Sequence, residues 1–157
     1  MLGLGLSIGE IATRSGSAGG GIVELSPDPS FDDPSLWVAS SNGVLTVSGG
    51  ALRAAGSGGG LFARLAATPG AAFAAALTPG ASYRIVAVVS SLTRGQLTIG
   101  LLNGAGRRLF SEDNGDEPGT YTVTAVAGSN TSLPLTLSMG SGTHTFTVDS
   151  LSIKPIA

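Results

Sequence analysis

Along residues 143–153 (THTFTVDSLSI) apolar and polar side chains alternate, and the alternation changes phase partway. Phe146 and Val148 share one parity, whereas Leu151 and Ile153 share the other. Successive strand residues point to opposite faces, so an unbroken strand would send the two pairs to opposite sides of a sheet. A β-bulge near Asp149 and Ser150 would return all four to one face and re-aim a carboxylate in an otherwise uncharged strand.

The chain before this closing strand reads as a series of short strands punctuated by turns. Residues 22–26 predict the first strand of the domain, followed by a loop, PDPSFDDPSLW, whose three prolines exclude a central strand or helix interior. Phe31 and Trp37 are expected to anchor that loop against the sandwich edge. Asn42-Gly43 and Ser48-Gly49-Gly50 are turn signals around residues 44–47, and residues 51–54 return as the second arm of a hairpin. Residues 61–65 follow another turn. The run AAFAAAL, bracketed by two Thr-Pro-Gly triplets, is short enough to predict a strand despite its alanines. Residues 82–90 are apolar on both parities after Arg84, as in the middle of a sheet. Further strands are expected over 96–101, 107–110, 120–126 and 133–139, with Pro134 placing the last at an edge or a bulge. About ten short strands, with no helix of ordinary length, make an all-β antiparallel jelly-roll sandwich the predicted fold.

Residues 1–21 have a different character. Leu2, Leu4, Leu6 and Ile8 alternate with Gly3, Gly5, Ser7 and Gly9, a strand-like period. Glycine packs nothing and loses much backbone entropy on ordering, so such a strand is weak by itself. Residues 15–21 (SGSAGGG) have the composition of a flexible linker. Two readings follow: a disordered terminus, or a docking peptide that lays Leu2, Leu4, Leu6 and Ile8 into a partner's sheet or groove. Two units are therefore expected, an anchoring segment over 1–21 and a sandwich over 22–157.

Composition narrows the function classes. The chain of 157 residues is one domain's worth and long enough to bury a core. It has no cysteine, which removes disulfides, thiol nucleophiles and thiolate metal sites together. A formal net charge of −2, 11% charged residues and scattered arginines carry no footprint for nucleic acid. Mean hydropathy is positive at +0.36, yet no run approaches the ~20 apolar residues of a membrane span. The N-terminus lacks the basic start and unbroken apolar stretch of a secretory signal.

The order of several short motifs carries a resemblance. Asp28-x-Ser-Phe31 and Trp37 precede G-x-L-x-V-x-G-G-x-L over 43–52, L-T-P-G-x-S-Y-R over 77–84, G-T-Y-T-V-T over 119–124 and F-T-V-D-S-L-S-I over 146–153. In that order residues 22–154 resemble jelly-roll domains of the carbohydrate-binding-module type, found in secreted glycanases and phage virion proteins. A Gly-rich, Leu-alternating N-terminus joined to such a module is similar to small virion proteins of tailed phages, whose terminal segment fixes them to capsid or tail. The resemblance implies a structural calcium ion between first and last strands, on Glu24 and Asp149, with loop carbonyls over 27–30 as further oxygens. The other reading leaves Asp149 accepting loop N–H bonds and Glu24 solvated.

Catalysis has little to draw on. His144 is the single histidine, and no cysteine or second histidine completes a triad or metal cluster. The carboxylate pairs Asp32-Asp33, Glu112-Asp113 and Asp116-Glu117 are neighbours on loops, which does not flank a substrate. Sugar binding needs exposed rings or convergent polar groups, and Trp37 is the candidate contact. The expectation is a non-enzymatic phage virion protein, a head decoration or fibre, docked through residues 1–21. It would form a homo-oligomer such as a trimer, display its jelly roll at the virion surface and attach to a host-surface glycan. The alternative is a carbohydrate-binding module of a secreted or cell-surface protein.

Overall fold

The computed structural model describes residues 22–39, 44–57, 62–65, 67–140 and 142–157. The docking residues Leu2, Leu4, Leu6 and Ile8, and the Asn42-Gly43 turn, lie outside them. Ten strands are described: β1 (Trp37–Ala39), β2 (Leu45–Ser48), β3 (Ala51–Ser57), β4 (Phe62–Leu65), β5 (Ser82–Arg94), β6 (Gln96–Leu101), β7 (Arg107–Ser111), β8 (Gly119–Val126), β9 (Leu135–Met139) and β10 (Thr143–Pro155). They form two five-stranded sheets in the orders β1-β4-β9-β6-β7 and β2-β3-β10-β5-β8. Every pairing is antiparallel. Because β9 and β10, and β5 and β6, are consecutive strands in opposite sheets, the chain crosses between layers in the manner of a jelly roll.

The inner faces close on one core. Leu97, Ile99 and Leu101 of β6 and Leu135, Leu137 and Met139 of β9 meet Ile85, Ala87 and Val89 of β5 and Phe146, Val148, Leu151 and Ile153 of β10. Phe110 of β7 and Phe146 of β10 pack edge to face with ring centroids 5.0 Å apart, joining the two sheets.

The phase change in β10 is a bulge at the expected place. Val148 pairs with Val89 and Ser150 with Val88, leaving Asp149 unpaired. On the facing strand Ser90 is skipped as well, between Ser91 opposite Thr147 and Val89 opposite Val148. The two unpaired residues bond to each other, Ser90 Oγ donating to Asp149 Oδ1 at 2.8 Å. β5 itself alternates, with Tyr83, Ile85, Ala87 and Val89 buried and Val88 37% exposed. It is central in its sheet but buried on one face, not the two that its composition suggests.

Three further expectations are corrected. The AAFAAAL run belongs to a helix, α1 (Ala67–Ala76), not a strand. Alanine is the best helix former, and Pro69 falls in the first turn, where its missing N–H breaks no intrahelical bond. Phe73, Ala74 and Leu77 are buried in the core, and Thr78-Pro79-Gly80 ends the run, Gly80 at φ +79°. Pro134 marks neither an edge nor a bulge: it precedes β9, which lies between β4 and β6, and its carbonyl accepts from Leu102 N–H at 2.9 Å.

Residues 22–26 form no strand. β3 accompanies β10 only as far as Val148, and the edge beyond it is covered by other means. Leu25 N–H donates to the Ile153 carbonyl at 2.8 Å, and Leu151 N–H to the Pro29 carbonyl at 2.9 Å. Between them the Ile153 N–H donates to Glu24 Oε1 at 2.8 Å, so a side-chain carboxylate stands where a strand carbonyl would be.

Within the expected proline loop, a single-turn helix over Pro34–Leu36 leads into β1. Asp28, 5% exposed, organises this segment. Its Oδ1 accepts from Asp32 N–H at 2.8 Å, and its Oδ2 from Asp33 N–H at 3.3 Å and Trp37 Nε1–H at 2.8 Å. Phe31, at φ +53° and 1% exposed, packs 5.1 Å from the Trp37 ring. Both aromatic anchors are placed as expected. Asp28→Ala would strand these donors and is expected to cost about 2–4 kcal/mol, since each buried orphan costs roughly 1–3 kcal/mol. Urea denaturation measures this, and an unchanged midpoint would show the loop is held otherwise.

Candidate functional site

Two depressions on the described surface have polar side chains arranged to meet a ligand. The first lies on the outer face of the first sheet, where β6 and β9 run side by side. The register sets Thr98 opposite Ser138 and Gly100 opposite Thr136, while the intervening residues face the core. These four, with Asn103, Gly104 and Gly106 of the β6–β7 turn, line a shallow groove of about 190 Å³. Asn103 sits at φ +53°, the left-handed conformation its Asn-Gly turn predicts. A Cβ on Gly104 would lie 2.5 Å from the Val126 carbonyl oxygen, so the turn packs backbone against backbone. Thr136 Oγ1 is buried without a hydrogen-bond partner among the described residues. Its polar groups are hydroxyls, one amide and backbone, which both donate and accept, and they are set among carbon atoms that make up the larger part of the exposed lining. Arg108 on β7 is set opposite Thr98 and is exposed.

The second is a cleft of about 310 Å³ at one end of the sandwich, between the β5–β6 turn, the start of β10 and the turn after β7. Arg94, Gln96, Glu112, Asp113 and His144 line it. The turn over Glu112–Asn114 is tied down by Glu112 N–H donating to the Gly95 carbonyl at 2.9 Å and by Ser111 N–H donating to Asp116 Oδ2 at 2.8 Å. Beside it the Tyr121 hydroxyl donates to the Glu117 carbonyl. Burial first, and then the Asp116 carboxylate, push that hydroxyl above its ordinary 10.0. His144 is 2% exposed, and neither ring nitrogen has a hydrogen-bond partner among the described residues. An orphaned buried polar atom costs on the order of 1–3 kcal/mol. The Asn103-Gly104 dipeptide marks a turn, but only the β6–β9 register sets Thr136 beside it, and no local pattern marks Gln96.

Glu24, Asp149 and Trp37 lie apart from both depressions. Glu24 Oε1 accepts from Ser26 and Ile153 N–H, each at 2.8 Å, and Oε2 from the Ser152 hydroxyl at 2.5 Å. The Lys154 ammonium is 3.9 Å from Oε2. Asp149 accepts from Ser90, on the strand facing that stretch of β10. Donors and an ammonium thus occupy the positions a hard cation needs free, and the pair does not fit calcium, which takes six to eight oxygens. Among the described residues no three His, Asp or Glu side chains converge as a metal site.

Trp37 is 8% exposed, with its indole N–H spent on Asp28. Its edge borders an open hollow with Leu45 and Val47, but its ring packs on Phe31. It anchors the loop and offers no free face for a sugar. Tyr83, at 2% exposure, is likewise interior, its hydroxyl accepting from Thr78 N–H at 2.7 Å.

No protein-family model matches the sequence, and no curated protein matches it. Among solved structures, the chain is similar to one described as "CBM4 structure and function", at 13% identity and a TM-score of 0.43, over 82% of this chain and 98% of that one. It is also similar to the N-terminal cellulose-binding domain of Cellulomonas fimi β-1,4-glucanase C, at 19% identity and a TM-score of 0.42, over 83% and 95% of the two chains.

Because Glu24 is saturated by protein donors, chelation with EDTA is expected to leave Tm unchanged, as is added calcium. A calcium-dependent rise in Tm would show that the carboxylates rearrange around an ion.

Proposed function

We propose that this chain is a non-catalytic glycan-binding module. The observation that carries the reading is the β6–β9 groove, where the side chains of Thr98, Ser138 and Asn103 line the outer face of a sheet. A sugar edge presents hydroxyls that donate and accept, and such a lining answers them without a charge to desolvate. With no free aromatic face at Trp37, recognition runs through hydrogen bonds instead of stacking. Interactions of that kind exchange water for ligand at a modest net gain of about 0.5–1.5 kcal/mol each. Weak affinity made useful by several copies is the consequence, and it accords with a displayed homo-oligomer such as a trimer.

A second, finer reading is display on a phage particle. Its support is the composition break at Gly21 together with Ile22 and Val23, apolar side chains 65% and 64% exposed where the domain meets residues 1–21. Leu2, Leu4, Leu6 and Ile8 would then dock on capsid or tail, and the sandwich would face outward toward a host-surface glycan. A secreted or cell-surface module with the same groove is the competing setting.

Affinity electrophoresis of the full chain through a panel of polysaccharides tests the binding reading. Thr98→Val combined with Ser138→Ala is expected to weaken retention about tenfold, roughly 1.4 kcal/mol, with Tm little changed. Undiminished retention of the folded variant would move the site away from the groove. Deleting residues 2–20 tests the display reading separately. Incorporation into particles should be lost, and normal occupancy of the truncated protein would end the docking role.

A further inference from the structure

We infer that β8 is a docking edge for a second copy of this chain, and that two copies join there as an antiparallel, two-fold pair. The inference goes beyond glycan binding and needs neither depression. It starts from a difference among the four sheet edges. Two edge strands are short, β1 with three residues and β2 with four. β7 opens on two exposed arginines, Arg107 and Arg108, and carries an extra residue at Leu109, where its register with β6 shifts. Shortness, charge and a bulge are devices by which sheets discourage foreign strands. β8 has none of them. Its eight residues (GTYTVTAV) hold no charge and no proline, pair with β5 without a register shift, and are rich in strand formers. Alternate residues of an antiparallel strand aim N–H and C=O to the same side, so half of those in β8 point away from β5. Among the described residues, none of these groups has a backbone partner beyond β5.

The strand is also complementary to itself. Paired residues share a face, so a two-fold antiparallel pair must set one residue opposite its own copy. With Thr122 at the axis, Thr120 of one copy meets Thr124 of the other, and Tyr121 meets Val123. Threonine pairs and an aromatic beside a β-branched side chain are favourable cross-strand neighbours. Thr120, Thr122 and Thr124 are exposed, and Tyr121 and Val123 half-buried, so both sets are available to a neighbour.

Charge agrees with the antiparallel direction. The Gly104 turn that leads into β7 packs against the Val126 carbonyl, which sets Arg107 and Arg108 toward the Val126 end of β8. Asp116 and Glu117 stand before the other end. Antiparallel pairing brings the arginine end of each copy to the acidic end of the other, whereas parallel pairing would bring like to like. Among the described residues, neither arginine nor Glu117 has an ion-pair partner. A two-fold axis normal to the sheets also keeps both β6–β9 grooves on one side of the pair. Under the glycan-binding reading, that arrangement presents two weak sites to one surface.

Sedimentation of the full chain tests the pairing, with an expected mass of twice the chain's 15.4 kDa. Thr122→Lys sets two ammoniums against each other and is expected to return the mass to one chain. Thr46→Lys, at an exposed position of β2, is expected to leave the pair intact, with circular dichroism confirming that both variants fold. The chain has no cysteine, so Thr122→Cys can form a disulfide only between copies. Opposed residues stand about 4.5–5.5 Å apart at Cα, within disulfide reach, and oxidation is expected to cross-link this variant and not Thr46→Cys. A single-chain mass for the unaltered protein would overturn the inference. So would an assembly that survives Thr122→Lys, which would place the contact elsewhere in the chain. A pair that Thr122→Cys fails to cross-link would overturn it as well. None of these measurements reads sugar binding, so the groove stands or falls by its own test.

Discussion

The core needs apolar side chains from both parities of β10, and the paired irregularity at Ser90 and Asp149 is what supplies them. A lone bulge on β10 would carry the downstream half of the strand out of register with β5. Because β5 skips a residue beside it, the ladder resumes with Ser150 on Val88 and Leu151 on Ala87. Both strands change phase there: β5 buries Val89 and then Leu92, as β10 buries Val148 and then Leu151. The Ser90–Asp149 hydrogen bond gives the two unpaired side chains each other as partners. A bulge also bends and twists its strand, which suits the point at which β3 leaves β10 and another segment takes over its edge.

That other segment shows how a sheet edge is closed without a strand. An exposed edge is a row of unpaired backbone groups and an invitation to foreign strands. Here Leu25 and Pro29 satisfy two of those groups through the backbone, and Glu24 satisfies a third through its side chain. The carboxylate gains the Ser152 hydroxyl and stands near Lys154, so its charge is met from several sides. Asp28 does the same for the following loop, holding two backbone N–H groups and an indole N–H around one carboxylate. Two of the acids near the N-terminal end of the sandwich are thus spent on the architecture.

Two depressions remain on the described surface, the β6–β9 groove with its hydroxyls, amide and glycine backbone, and the end cleft with its charged side chains. The groove and the cleft differ in kind. The groove follows from strand alternation, since Thr98, Thr136 and Ser138 must face outward once their neighbours are buried. The cleft is assembled from three separate turns and strand ends, and the Glu112 N–H bond to Gly95 holds two of them together.

Alternation determined most of the strands and the bulge near Asp149, while turn residues gave the hairpin of β2 and β3 and the proline loop gave the anchoring roles of Phe31 and Trp37. These are readable because a period of two and a change in it are properties of adjacent residues. The helix at Ala67–Ala76 was obscured by Pro69 and Gly70, which look like a boundary locally but are tolerated in a first turn. Tertiary structure decided the partners. Glu24 and Asp149 look alike as acids flanking a first and last strand, yet one completes a strand edge and the other fills a bulge. No local pattern brings His144 beside Gly95 and Glu112, because those contacts span stretches of chain that meet only when the two sheets close. Hydrogen-bond satisfaction is settled across the fold, and sequence order carries little of it.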